Sequence, residues 1–246
     1  MKLKQRDTLS QFVRDVCNHQ MTILKDDGVY RHIRFQQPGT TCYYFDLITW
    51  PGYLTICGDM GTWTFSRTHD MFDFFARNTL EINTHYWSEK LEAGAGCSAR
   101  ELIAKSYDHD EFCSSLKELL STYFEDDEDD EPDVDWNDDD DEPDVDWNDD
   151  DDEPDSDKSR IREIVRELCR EDFNNDVLAY NAVYEADWPG CVDTWELCAD
   201  ISYKTYTSHF RWILFAIVWG ISRYRAAPMI EKSMTTFLAT REVYRG

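Results

Sequence analysis

Leu54-Thr55-Ile56-Cys57-Gly58-Asp59-Met60-Gly61-Thr62-Trp63-Thr64-Phe65-Ser66 decides the fold class. Two short runs rich in β-branched and aromatic residues flank Gly58-Asp59-Met60-Gly61, whose glycines supply the backbone freedom of a tight reversal. Leu54–Cys57 therefore pairs with Thr62–Ser66, and period-two alternation puts Trp63 and Phe65 on the core face. Working outward, Thr41–Trp50 is another aromatic and β-branched run, closed by Pro51-Gly52. Earlier still, Met21–Lys25 and Val29–Phe35 flank Asp26-Asp27-Gly28 as a hairpin. The expectation is an antiparallel sheet of four or five strands.

Helical spacing surrounds this β-rich block. Leu9, Phe12, Val13, Val16 and Cys17 follow i, i+3, i+4, i+7, i+8 behind a cap at Asp7 or Thr8. Met71, Phe72, Phe74 and Phe75 start a second helical region that runs on through Tyr86 to Leu91. Phe112, Leu116, Leu119, Leu120, Tyr123 and Phe124 mark a stronger amphipathic helix. Further on, Ile161, Ile164, Val165, Leu168 and Cys169 give another, capped by Ser156 or Asp157. Val177–Tyr184, Thr194–Tyr203, Phe210–Ile221 and Met229–Leu238 read mainly as helix. The fold class is α+β, with helices on one face of the sheet and a helical C-terminal half. Domain boundaries are expected at 1–124 for the α+β domain, 125–157 for a linker, and 158–246 for a helical part packed on the first. A composite fold is favoured because a helix as apolar as Trp212–Ile221 needs more surface than 89 residues supply alone.

Between the two halves, Glu125–Asp157 holds 23 acidic side chains in 33 positions and no Lys or Arg. An eleven-residue unit recurs within it, at Glu131-Pro132-Asp133-Val134-Asp135-Trp136-Asn137 and at Glu142-Pro143-Asp144-Val145-Asp146-Trp147-Asn148, then breaks off at Glu153-Pro154-Asp155. Carboxylate repulsion and the recurring prolines predict an extended, disordered and solvated segment. The whole chain of 246 residues carries −26, and the remainder holds 28 acidic against 25 basic residues. The negative charge is therefore local, and neither flank is a basic nucleic-acid binder on bulk charge. Immediately after the tract, Lys158, Arg160, Arg162, Arg166 and Arg170 line the exposed side of the Ile161 helix, placing cations beside the polyanion.

A partner-binding role for the tract follows from its charge density. Extended at ~3.3 Å per residue, its 33 positions span roughly 110 Å, about one carboxylate every 5 Å. A single nucleic-acid strand carries one phosphate per ~3.4 Å. Asp133, Asp135, Trp136, Asp138, Asp139, Asp140, Asp144, Asp146, Trp147, Asp149, Asp150 and Asp151 are the candidate contact residues. In them the carboxylates imitate DNA and the indoles anchor a partner. The competing reading is a solubilising spacer grown by tandem duplication.

Other chemistries fit less well. Asp133, Asp135 and Asn137, like Asp144, Asp146 and Asn148, match the opening of a calcium loop. But Asp138 and Asp149 stand where that loop needs Gly, and Asp144 and Asp155 where it needs Glu. Cys17 with His19, and Cys191 with Cys198, lack zinc-ligand spacing. Asp46 and Asp59 on neighbouring strands lack the E-x-K of a metal nuclease, and Asp59 is explained by its turn. His69 beside Asp70 most simply begins a helix. The six histidines fall in no nucleophile motif, and neither a Walker loop nor G-x-G-x-x-G occurs. No catalytic residue, metal or cofactor is expected. Eight irregularly spaced cysteines without a signal peptide imply reduced thiols in a cytoplasm. The longest apolar run, from Trp212 through Ile221, is about half the ~20 residues of a membrane span, so a buried helix is expected there.

Leu54–Arg67, followed by Asp70-Met71-Phe72-Asp73-Phe74-Phe75, resembles a family of small proteins encoded by bacteriophages and prophages. Phe210-Arg211-Trp212 with Ala216-Ile217-Val218-Trp219-Gly220-Ile221 is similar to that family's C-terminal signature. The resemblance touches both flanks, and the acidic tract resembles a variable insertion. It implies an accessory phage gene, of a kind that often antagonises host defence, acting in the bacterial cytoplasm. The expected function is non-enzymatic binding and inhibition of a host defence factor that handles nucleic acid, with no direct nucleic-acid or membrane contact. The alternative is an oligomer-forming accessory phage protein, a homo-oligomer whose tract only solubilises.

Overall fold

A computed structural model describes residues 3–92, 104–121 and 156–243. The chain begins with helix α1 (Leu3–Val16), then runs through β1 (Gln20–Asp27), β2 (Tyr30–Gln36), β3 (Phe45–Trp50), β4 (Tyr53–Gly58) and β5 (Gly61–Ser66). These form one antiparallel meander in the order β1-β2-β3-β4-β5. The fold is α+β, as the sequence implies. Gly28 (φ 60°) and Gly61 (φ 88°) adopt the left-handed conformation that the two hairpin turns require.

Register aligns one face for burial. Ile33 lies opposite Leu47, Phe35 opposite Phe45, Leu47 opposite Ile56, and Ile56 opposite Trp63. All are buried, while His32, Arg34, Asp46, Cys57 and Thr64 alternate onto the other face. At the β1 edge the register slips between Ile23 and Lys25, leaving Leu24 as the extra residue of a bulge. The β5 edge is covered instead: Ser66 N–H donates to Lys90 O, Glu92 N–H donates to Thr64 O, and Leu91 bridges Phe65. The helical region expected through Leu91 consequently stops earlier. Helices α2 (Met71–Phe75) and α3 (Thr84–Ser88), capped by Asp70 and Asn83, are followed by this strand-like edge pairing.

After β6 (Lys105–Tyr107) come α4 (His109–Ser121), α5 (Ser156–Leu168), α6 (Asp176–Glu185), α7 (Thr194–Asp200), β7 (Lys204–Tyr206) and α8 (Ser208–Val243). β6 and β7 form a separate two-stranded sheet. The chain divides into two compact units, one made of 1–106 with 206–246 and the other of 107–205. This does not follow the expected division at 124 and 158. The α4 helix, expected with the sheet, has its apolar face in a core shared with α5, α6 and α7. Phe112, Leu116 and Leu120 there meet Ile161, Val165, Phe173, Val183 and Leu197.

Within the discontinuous unit, α8 covers the sheet. Phe12 of α1 lies edge-on to Trp212 at 5.2 Å between centroids, Phe45 edge-on to Trp212 at 5.9 Å, and Phe35 edge-on to Trp219 at 5.4 Å. Trp212 Nε1 donates to Asp15 Oδ2 at 2.9 Å, so even the polar tip of this core indole is satisfied. Where two helical stretches were expected, one helix of 36 residues runs on through Pro228. Proline's fixed φ is helical, but inside a helix it removes one backbone donor and crowds the carbonyl four residues earlier. Its Ser208–Ile230 part is long and apolar enough to cross a membrane by length and composition, although Phe210, Trp212–Val218 and Ile221 are buried in this core.

Candidate functional site

The acidic tract leaves the helical unit at the end of α4 and returns at the start of α5, so both ends belong to the unit 107–205. The twelve candidate contact residues from Asp133 to Asp151 lie outside the described residues. What the structure describes is the surface from which they emerge.

That surface carries a groove of about 580 Å³ lined by Lys117, Leu120 and Ser121 of α4 and by Arg162, Val165, Arg166, Cys169 and Arg170 of α5 and its C-terminal end. Its origin is local. Ile161, Val165 and Leu168 turn one side of α5 into the core, and i, i+4 spacing puts Arg162 and Arg166 on a neighbouring exposed stripe, which Arg170 continues from the turn after the helix. Lys117 faces them from α4. Among the described residues, the lining carries four cationic side chains and no carboxylate, over an apolar floor. Of the basic residues expected beside the tract, Arg162, Arg166 and Arg170 belong to the groove, whereas Arg160 pairs with Asp187. Lys117 had no sequence signal of its own. Its role arises only from the packing of α4 against α5.

The same unit holds a thiol cluster that shares Cys169 with the groove. Cys113 Sγ is 3.4 Å from His109 Nε2, His109 Nε2 is 3.1 Å from Cys169 O, and Tyr107 OH is 3.2 Å from His109 Nδ1. Burial, reinforced by the Cys169 thiol, pushes Cys113 up to about 12. Such a thiol stays protonated near neutrality, so the Cys–His pair does not have the character of an activated nucleophile.

The residues weighed for other chemistry take structural roles. His19 is buried, with Nε2 3.0 Å from Tyr43 O, while Cys17 is exposed. Cys198 is buried and Cys191 exposed. Asp59 accepts from the Tyr43 N–H at 2.8 Å, steadying a residue at φ 57°. Asp70 caps α2 through the Phe72 N–H and pairs bidentately with Arg31, at 2.9 and 2.8 Å. Asp46 accepts from Arg34 Nε and Nη2, each at 2.8 Å, and lies 2.8 Å from His32 Nε2. Burial raises the Asp46 carboxyl, but these partners outweigh it and hold its pKa below the ordinary value. Among the described residues, no group of three or more His, Cys, Asp or Glu side chains is placed to hold a metal ion.

A second cavity of about 470 Å³ in the sheet-containing unit is lined by residues that include Asp7, Arg14, Asp15, Tyr43, His209 and Trp212. Its charges are mixed, and Asp15 is engaged with Trp212. No family model, curated protein or solved structure matches the chain.

Proposed function

We propose that the chain is a phage-derived, non-enzymatic protein that inhibits a host defence factor. It does so by offering Glu125–Asp157 as a polyanion to a basic, nucleic-acid-binding surface. One observation carries this reading: 23 carboxylates in 33 residues, tethered at both ends to packed helices of one compact unit. Attachment at both ends lowers the ordering cost of binding relative to a free tail. Trp136 and Trp147 add apolar anchors to an otherwise electrostatic contact. The resemblance at Leu54–Phe75 and Phe210–Ile221 supports the phage origin and, with it, action in the bacterial cytoplasm.

Capture from bacterial lysate tests the proposal. Full-length chain is compared with a variant in which every Asp and Glu from 125 to 155 is replaced by Asn or Gln. The reading predicts that captured DNA- or RNA-binding proteins are released by salt or by added single-stranded DNA, and are lost with the neutralised tract. Retention by the neutralised chain contradicts it. Retention would instead support the alternative of an oligomer-forming accessory protein. Exposed apolar side chains favour that second reading, notably Trp195 at 74% and Tyr184 at 56% exposure.

A further inference from the structure

We propose that the groove between α4 and α5 is a receptor for the chain's own repeat unit, Asp-Val-Asp-Trp-Asn-Asp, occurring at Asp133–Asp138 and Asp144–Asp149. The inference rests on the tract being a binding polyanion and adds where one unit of it resides when no partner is present.

Charge complementarity is the first argument. Four cationic side chains line the groove among the described residues, and each repeat unit carries three Asp and no cation. Spacing is the second. Arg162 and Arg166 are four residues apart within α5, about 6 Å along the helix, and Arg170 follows two residues beyond its end. Alternate residues of an extended chain are ~6.6 Å apart. Asp133 and Asp135, or Asp144 and Asp146, therefore match two neighbouring arginines. Val134 and Trp136, or Val145 and Trp147, fall on the opposite side of such a chain. The third argument is shape: the floor of Leu120, Val165 and Cys169 is apolar, and about 580 Å³ accommodates an indole with the adjoining valine.

Chain length permits the contact. Eleven residues separate Ser121 from Asp133, and six separate Asp149 from Ser156. Eleven residues reach at most roughly 36 Å when extended, beyond the ~20 Å length of α5, so the tether can span the groove. The effective concentration of a segment so tethered is on the order of millimolar. A contact of only millimolar intrinsic affinity is then about half occupied. One groove and two units leave at least one unit displayed to a partner at any moment.

The test uses the full chain carrying 5-fluorotryptophan, observed by ¹⁹F NMR. The Trp136 and Trp147 lines are assigned with Trp136→Phe and Trp147→Phe. At about 10 mM salt, where the Debye length is ~30 Å, one or both lines are displaced from their 1 M salt positions. The Arg166→Gln/Arg170→Gln variant returns them to those positions at low salt. The Trp188 line reports the integrity of the helical unit, because that indole donates to Val183 O at 2.8 Å. If it moves in the double variant, Lys117→Gln and the salt series decide. Lines that sit at the high-salt position under every condition overturn the proposal. So does a displacement that persists in the arginine variant with Trp188 unmoved. A displacement that disappears on tenfold dilution places the unit in a second copy's groove, and overturns the intramolecular assignment. None of these outcomes depends on host-protein capture, so failure here is distinguishable from failure of the proposed function.

Discussion

Gly220→Ala tests the discontinuous unit. Gly220 lies in α8 where that helix meets the sheet. An added Cβ there would stand 2.8 Å from Leu47 Cδ1 and 3.0 Å from Phe35 Cε2. Two effects of opposite sign compete. Replacing an interior helix Gly by Ala stabilises by about 1 kcal/mol, whereas overpacking a core costs about 1–3 kcal/mol. The neighbours decide between them. Leu47 and Phe35 are both fully buried, and the Phe35 ring is held between Phe45 at 4.9 Å and Trp219 at 5.4 Å. With little room to yield, the net change is a loss of about 1.4 kcal/mol, a tenfold change in an opening equilibrium. Hydrogen–deuterium exchange read by mass spectrometry resolves where that loss falls. The slowest amides of β2, β3 and α8 should exchange about tenfold faster together, while those of 109–200 stay unchanged. Gly190→Ala, with no atom within 4 Å of the new Cβ, should stay within about 0.5 kcal/mol of wild type. Slower exchange in Gly220→Ala would refute the packing argument, and faster exchange confined to α8 would refute the shared unit.

Asp46→Asn should destabilise by about 1–2 kcal/mol near neutrality, discounted because Arg34 keeps contact with water. The Asp46 pKa is lowered by folding, so its contribution is present above the unfolded value of about 3.9 and fades as pH falls through the lower folded value. Urea titrations of both proteins should converge below about pH 4, and a gap that widens in acid would count against the ionic row. Cys113, with its thiol at about 12, should be alkylated at pH 8 at least about 100-fold more slowly than Cys17 or Cys42, as read by peptide mass spectrometry. Comparable rates would show that the Cys113 thiol is open to solvent. Arg166→Gln/Arg170→Gln should raise capture of basic partners by the tract, since it removes a competing seat. Unchanged or weaker capture would count against that competition.

The sheet was legible because its signals are local. Gly28 and the Gly58–Gly61 turn fix the hairpins, and alternation at Ile33/Phe35 and Trp63/Phe65 fixes the buried face. Helix existence was legible from periodicity at Phe112/Leu116/Leu120 and at Ile161/Val165/Leu168. Partner choice was not, because an apolar stripe shows that a helix buries one face without showing against what. That is why α4 was expected with the sheet and belongs to the unit formed by 107–205, and why the covering of the sheet by α8 came with no division at 158. The end of α3 at Ser88 was missed for a related reason. Edge pairing of Lys90–Glu92 with β5 is a tertiary event that overrides the local helical pattern. At the candidate site, the i, i+4, i+8 arginines were visible in the sequence. Lys117 and the apolar floor required two helices to meet.

Salt dependence of binding between the full chain and a purified captured partner is the most direct test of the polyanion account. The dissociation constant is measured from about 50 to 300 mM salt for the native tract and for the Asn/Gln-neutralised tract. The account predicts a steep loss of affinity with salt for the native chain and a nearly flat dependence for the neutralised one, because contacts to many carboxylates are screened together. Equal slopes and equal affinities for the two chains would contradict it and move the binding site to the folded body.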